Sequence, residues 1–156
     1  MTGNIDRRIE QLGIDLPALP AAVGAYLPCR TAGDLLFVSG QLPWIDGRIA
    51  WPGRVGAEVG LADAVAAARL CALALVAQVR EACAGDLDRV AAVVRLGGFV
   101  SSASDFFDHA KVVNGASELM VEIFGDAGRH ARAAVGCASL PLGAPVEIEG
   151  LFQIRP

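Results

Sequence analysis

Apolar side chains dominate the stretch 61–84 (LADAVAAARLCALALVAQVREACA), where polar positions are confined to Asp63, Arg69, Gln78, Arg80 and Glu81. The alanine content favours a helix, and a helix apolar on nearly every side is one buried on most of its surface, here against a sheet. Helical spacing of Ile5, Ile9 and Leu12 predicts a shorter amphipathic helix over 4–12. Leu16-Pro17 and Leu19-Pro20 then force an extended or turning arm, because proline disfavours helix in the residue before it. Another helix is expected from the N-cap types Ser104-Asp105 to about Phe124, stopped by Gly125-Asp126-Ala127-Gly128.

The remaining apolar segments are short and rich in β-branched residues. Residues 22–30 and 34–40 read as a hairpin joined by Thr31-Ala32-Gly33-Asp34. The segment 41–56 reads as a loop with a short strand over 48–51, its Trp44 and Trp51 covering an edge of the core. Residues 89–100 form a strand in which Gly97-Gly98 marks a bulge or a close backbone approach. Two strands over 130–138 and 145–154, joined through Leu140-Pro141-Leu142-Gly143, complete the chain. This order predicts an α+β fold with a single sheet and both long helices on one face. Residues 1–156 form one domain, with 1–19 as a helix and arm and 20–156 as the core. The uncovered face of the sheet calls for self-association.

Composition narrows the classes. The 156 residues are 54% hydrophobic and 19% charged, which excludes disorder and suggests that partner subunits cover part of the apolar surface. A net charge of −4, without any cluster of Lys and Arg, offers no field for a nucleic acid. The four cysteines (29, 71, 83 and 137) form no C-x-x-C and have no histidine at metal-ligand spacing, so a reduced cytoplasmic setting is expected, without a metal. The charged N-terminus and the short apolar runs predict neither export nor membrane insertion.

Alternation along the last strand places Glu147 and Glu149 opposite Val146, Ile148 and Phe152, away from the core. On the strand before it, Arg132 shares its face with His130, Ala134 and Gly136, and two of these neighbours leave room for a ligand. A guanidinium pairs bidentately with a carboxylate, the geometry of a substrate clamp. Each residue taken singly is an ordinary surface residue. His130 can face the same cleft as Arg132, whereas His109, beside Asp105 and Asp108, reads as part of an exposed helical face. Ser39-Gly40-Gln41 lacks a nucleophile elbow.

Together these pieces form a pattern. The run ARAAVGCASLPLGAPVEIE from Ala131 to Glu149 resembles the C-terminal signature of the RidA (YjgF) family, with Arg132, Leu140-Pro141 and Glu147 at its spacing. Gly24 to Tyr26 resembles that family's G-x-Y, Val38 to Pro43 (VSGQLP) resembles its S-G-Q-x-P, and Asn114 falls where it often has an asparagine. The resemblance covers residues 20–154. It implies a fold like chorismate mutase of the bacillus type, a homotrimer with ligand clefts between subunits, and hydrolysis of enamines or imines of small 2-keto acids to keto acid and ammonia. In that reading Arg132 holds the substrate carboxylate and Glu147 orients a water and carries its proton. Tyr26, Ser39 and the backbone at Gly40 line the cleft, and Asn114 and the backbone at Ala134 complete it, with no metal or cofactor. The family's best-studied members have a cysteine where this chain has Ala134, and Cys137 does not take that place. The rival reading is a non-enzymatic trimer of the same fold that binds a small carboxylate; an endoribonuclease activity suits the charge poorly.

Overall fold

The computed structural model describes residues 3–19 and 24–156. In chain order the helices and strands are α1 (Asn4–Gln11), β1 (Cys29–Ala32), β2 (Leu35–Gln41), β3 (Trp44–Ile45), β4 (Arg48–Ile49), α2 (Leu61–Ala82), β5 (Val90–Ser101), α3 (His109–Phe124), β6 (Ala131–Cys137) and β7 (Val146–Ile154). Five strands make one sheet in the order β1-β2-β7-β5-β6, and β3 and β4 make a separate hairpin. All neighbours in the large sheet are antiparallel except β5 and β6. A parallel pair needs a crossover, and α3 supplies it.

The sheet has one covered face and one bare face, and β7 shows the division most plainly. Val146, Ile148, Phe152 and Ile154 are buried beneath α2 and α3, while Glu147, Glu149, Leu151 and Gln153 point the other way. The alanines of α2 now have a reason. Ala64, Ala67, Ala68 and Ala72 are fully buried and let α2 lie close to its neighbours. On α3, Gly115 sits against the Val65 carbonyl so closely that a Cβ would overlap it. The apolar character of α2 is therefore that of a helix packed between a sheet and a second helix. The expectation of both long helices on one face is met.

Several boundaries differ from those expected. β1 begins at Cys29, so residues 24–28 are not strand, and residues 22 and 23 of the expected strand lie outside the described residues. α3 begins at His109 with Asp108 as its N-cap, three to four residues later than the N-cap expected at Ser104-Asp105. The reason is that the backbone stays extended past β5. Ser102 bridges to Val55, and the Ala103 N–H donates to the Val55 carbonyl at 2.9 Å, which holds these residues out of a helix. Gly97-Gly98 carry no bulge; the register of β5 shifts at Val90/Ala92 and Val93/Arg95 instead. The glycines serve close approach, since a Cβ on Gly98 would overlap Val113 of α3. Asp46 and Gly47, both at positive φ (49° and 75°), turn the β3–β4 hairpin. Trp51 packs against the core from this region.

The N-terminal helix is tied in by a specific contact. The Asn4 and Ile5 N–H groups donate to the Asp88 carboxylate at 2.7 and 2.8 Å, and Ile9 enters the core. These backbone bonds, that of Ile5 foremost, hold the Asp88 carboxyl below the usual carboxylate range.

Candidate active site

β6 is one edge of the sheet, with β1 at the other, and its register with β5 fixes which way its side chains point. Arg132 is paired with Leu96, Ala134 with Gly98 and Gly136 with Val100, so all three share the face that carries the helices. There the Arg132 guanidinium meets α3. Its Nη1 donates to Asn114 Oδ1 at 2.7 Å and to Ser117 Oγ at 3.1 Å. No carboxylate among the described residues pairs with it, in contrast to Arg69, which binds Glu122 at 2.8 Å, or Arg95, which binds Glu149 at 3.2 Å. Neutral oxygens aim this guanidinium and leave its charge uncompensated.

His130 belongs to the same network. Its Nδ1 lies 2.6 Å from the Gly128 carbonyl, which can only accept, so Nδ1 carries a proton. In the neutral ring Nε2 is then an acceptor, and Ser117 Oγ, 2.9 Å away, donates to it while accepting from Arg132. In that form the chain from Gly128 through His130 and Ser117 to Arg132 has one consistent set of bond directions. His130 touches Arg132 only through Ser117. The sequence reading missed Ser117, although its place three residues after Asn114 puts both on one face of α3.

Glu147 stands on the other side of the sheet. Its register partner on β5 is Phe99, on the bare face. The carboxylate lies over Gly40 at the irregularity of β2 between Val38 and Gln41, and any Cβ on Gly40 would overlap it. Burial, and then the neighbouring Glu149, push the Glu147 carboxyl above its ordinary value. Beside this lies a concavity of about 340 Å³ lined by Leu27, Arg30, Phe37, Ser39, Arg95 and Glu149, among others. Ser39 Oγ donates to the Leu27 carbonyl at 2.7 Å. Tyr26 stands exposed in the segment leading to β1.

The residues singled out in the sequence thus fall into two groups. Arg132, Asn114 and Ala134 lie on the helix side of the edge strand, with Ala134 packed against the core. Ser39 and Gly40 lie near Glu147 at the bare face, and Tyr26 adjoins Leu27, which lines the concavity there. Within one chain the two groups do not share a pocket. His109 also departs from expectation. It is half-buried and not part of an exposed face, with Nε2 3.0 Å from Ser102 Oγ and its ring edge-on to Phe106 at 5.4 Å between centroids. The late start of α3 places His109 against β6, where Gly136 has no side chain to exclude it.

A mixed five-stranded sheet with two helices on one face and an uncompensated arginine on its edge strand defines a chorismate-mutase-like α+β fold. The family model described as "YjgF/chorismate mutase-like, putative endoribonuclease" matches residues 6–151. The chain belongs to this family, the RidA (YjgF) family. Protein TCP17 of Trypanosoma cruzi is 44% identical over 155 residues, covering 99% of this chain and 96% of that protein. RutC family protein y4sK of Sinorhizobium fredii is 36% identical over 135 residues, covering 86% and 91%. The crystal structure of Atu1372 from Agrobacterium tumefaciens, a protein of unknown function, superposes with a TM-score of 0.90 at 46% identity, covering 97% and 92%. The family match begins at residue 6 and so takes in most of α1, which the resemblance drawn from motifs had left outside.

Proposed function

We propose that this protein hydrolyses reactive imines and enamines of 2-keto acids to keto acid and ammonia, in clefts built where two copies of the chain meet in a homotrimer. The observation that carries this reading is the state of Arg132. An arginine held by Asn114 and Ser117, with no carboxylate partner among the described residues, is preorganised for an incoming carboxylate. The opposite placement of Glu147 supports the composite cleft, since a single copy cannot turn both Arg132 and Glu147 toward one ligand.

Arg132 binds the substrate carboxylate bidentately and thereby positions the imine carbon. The protonated C=N is already a strong electrophile, so the demand on the protein is a water and a proton carrier. Glu147 takes a proton as the water oxygen bonds to the imine carbon and the C=N π pair moves to nitrogen, giving a carbinolamine. The same carboxyl returns that proton to the amino nitrogen. The C–N bond then breaks toward nitrogen as Glu147, again a carboxylate, takes the hydroxyl proton and the oxygen forms the carbonyl; ammonia leaves with that proton as ammonium, and the 2-keto acid is released. A carboxyl raised above its ordinary value suits both halves of this cycle better than a strongly acidic one. The nuclease function in the family's description has less support, because the chain carries a net charge of −4.

The test supplies 2-iminopropanoate or 2-iminobutanoate generated in situ and follows its loss. Wild type should accelerate hydrolysis and Arg132→Ala should not; equal rates for the two would refute the role of Arg132.

A further inference from the structure

A second concavity, about 540 Å³, lies farther along the groove side of β6. Its walls include Ser102, His109, Gly136, Phe106, Phe107 and Arg54. It is a shallow groove open to solvent, and it has more room than a methyl or ethyl group would fill. Ser102 and His109 form a polar pair at 3.0 Å, and Gly136 makes room for both: a Cβ there would overlap His109 Nε2 and lie 2.9 Å from Ser102 Oγ. Phe106 packs edge-on against the His109 ring, whereas Phe107 is 83% exposed. Arg54 brings no free charge, because Glu58 binds it at 3.2 Å.

This concavity has a fixed relation to Arg132. Arg132, Ala134 and Gly136 are successive residues on one face of β6. α3 runs alongside in the opposite sense, with His109 against Gly136 at one end and Asn114 and Ser117 against Arg132 at the other. His109 precedes Asn114 by five residues, about 7.5 Å along the helix axis. Between the two ends lies Ala134, whose methyl group leaves the floor of the groove low. A substrate whose carboxylate sits on Arg132 has room to extend its side chain over Ala134 toward Phe107 and the Ser102–His109 pair.

We propose that this concavity is the side-chain subsite of the imine cleft and that it selects 2-imino acids with an aromatic side chain ending in a hydrogen-bonding group. The inference rests on the imine reading above. A one-carbon link and one aromatic ring are about as long as the rise of about 7.5 Å between Asn114 and His109 on α3. The ring stacks on Phe107, which otherwise stands in solvent, and the polar tip exchanges hydrogen bonds with Ser102 and His109. A distal carboxylate has to compete there with Glu58 for Arg54.

The experiment compares kcat/KM for imines generated in situ by a flavin amino-acid oxidase from L-tyrosine, L-phenylalanine, L-alanine and L-glutamate. The tyrosine-derived imine should exceed the alanine-derived one by about tenfold or more, with the phenylalanine-derived imine between them. His109→Leu and Ser102→Ala should collapse the tyrosine-to-phenylalanine ratio through KM. Preference for the alanine- or glutamate-derived imine, or a ratio unmoved in both variants, overturns the proposal. Calorimetry with the corresponding keto acids reads the subsite without turnover. Tighter binding of 4-hydroxyphenylpyruvate than of pyruvate, lost in His109→Leu, would support the subsite even if no imine were hydrolysed; equal binding would overturn it.

Discussion

Arg132 and Glu147 stand on opposite faces of one sheet. The first is aligned with Leu96 beneath the helices and the second with Phe99 on the bare face, three residues farther along the same strand. No side-chain rotation brings the guanidinium and the carboxylate together within a chain. Chemistry that uses both requires two copies, and the following expectations derive from that arrangement.

The bare face should be an intersubunit surface. Phe37 and Val135 both lie on it and are nearly half exposed, at 48% and 45%. Phe37→Glu and Val135→Glu would each place a charge in a buried interface. Light scattering should find the wild type as a trimer and both variants as smaller species, with imine turnover falling in parallel with dissociation.

At Arg132 the geometry of the fork should matter as well as its charge. Arg132→Lys keeps the cation but loses the bidentate contact and the simultaneous hold on Asn114 and Ser117, and should lower kcat/KM about tenfold. Arg132→Ala should lower it about 100-fold, equivalent to about 2.7 kcal/mol. Steady-state kinetics across the three proteins checks the order.

Glu147 should cost stability where it serves catalysis. Burial and Glu149 raise its carboxyl in the folded chain above the unfolded value. Its favourable contribution is therefore complete below the unfolded pKa and is lost as pH rises through the folded pKa. Glu147→Gln removes that loss. The variant should melt above wild type near about pH 7, and the advantage should close below about pH 4, where the unfolded carboxyl is itself protonated. Thermal denaturation at the two pH values reads this, while turnover of the variant should fall by about 10²-fold or more.

Gly115 tests the helix crossing. Replacing a mid-helix glycine with alanine ordinarily gains up to about 1 kcal/mol from reduced backbone freedom. Here the new Cβ would overlap the Val65 carbonyl, and a backbone atom of α2 cannot step aside as a side chain can. The overlap should win, so Gly115→Ala is expected to destabilise by about 1–3 kcal/mol in denaturant titration.

Much of this architecture was legible in the residues. The alternation of Val146 through Ile154 states which side of β7 is core, and the alanine-rich stretch after Leu61 states a buried helix. The motif around Arg132 and Glu147 named the two residues on which the proposed chemistry rests. It did not give their relative orientation. Between them the chain passes a turn in which Leu142 adopts φ 57°, which resets the phase of alternation, and the facing of β6 is decided by its pairing with β5, a long-range contact. The start of α3 was hidden for a similar reason, because Ser102 and Ala103 are held extended by Val55, far away in sequence. Ser117 and the Ser102–His109 pair were hidden because their partners come from other elements of the fold.

Subunit complementation separates a composite cleft from one contained in a single chain. Arg132→Ala and Glu147→Gln, each inactive alone, are co-expressed in equal amounts and purified as mixed assemblies. If each site draws Arg132 from one copy and Glu147 from the next, random mixing leaves about a quarter of the sites intact, and imine hydrolysis should return to about a quarter of the wild-type rate. Mixed assemblies as inactive as their parents would contradict the composite site.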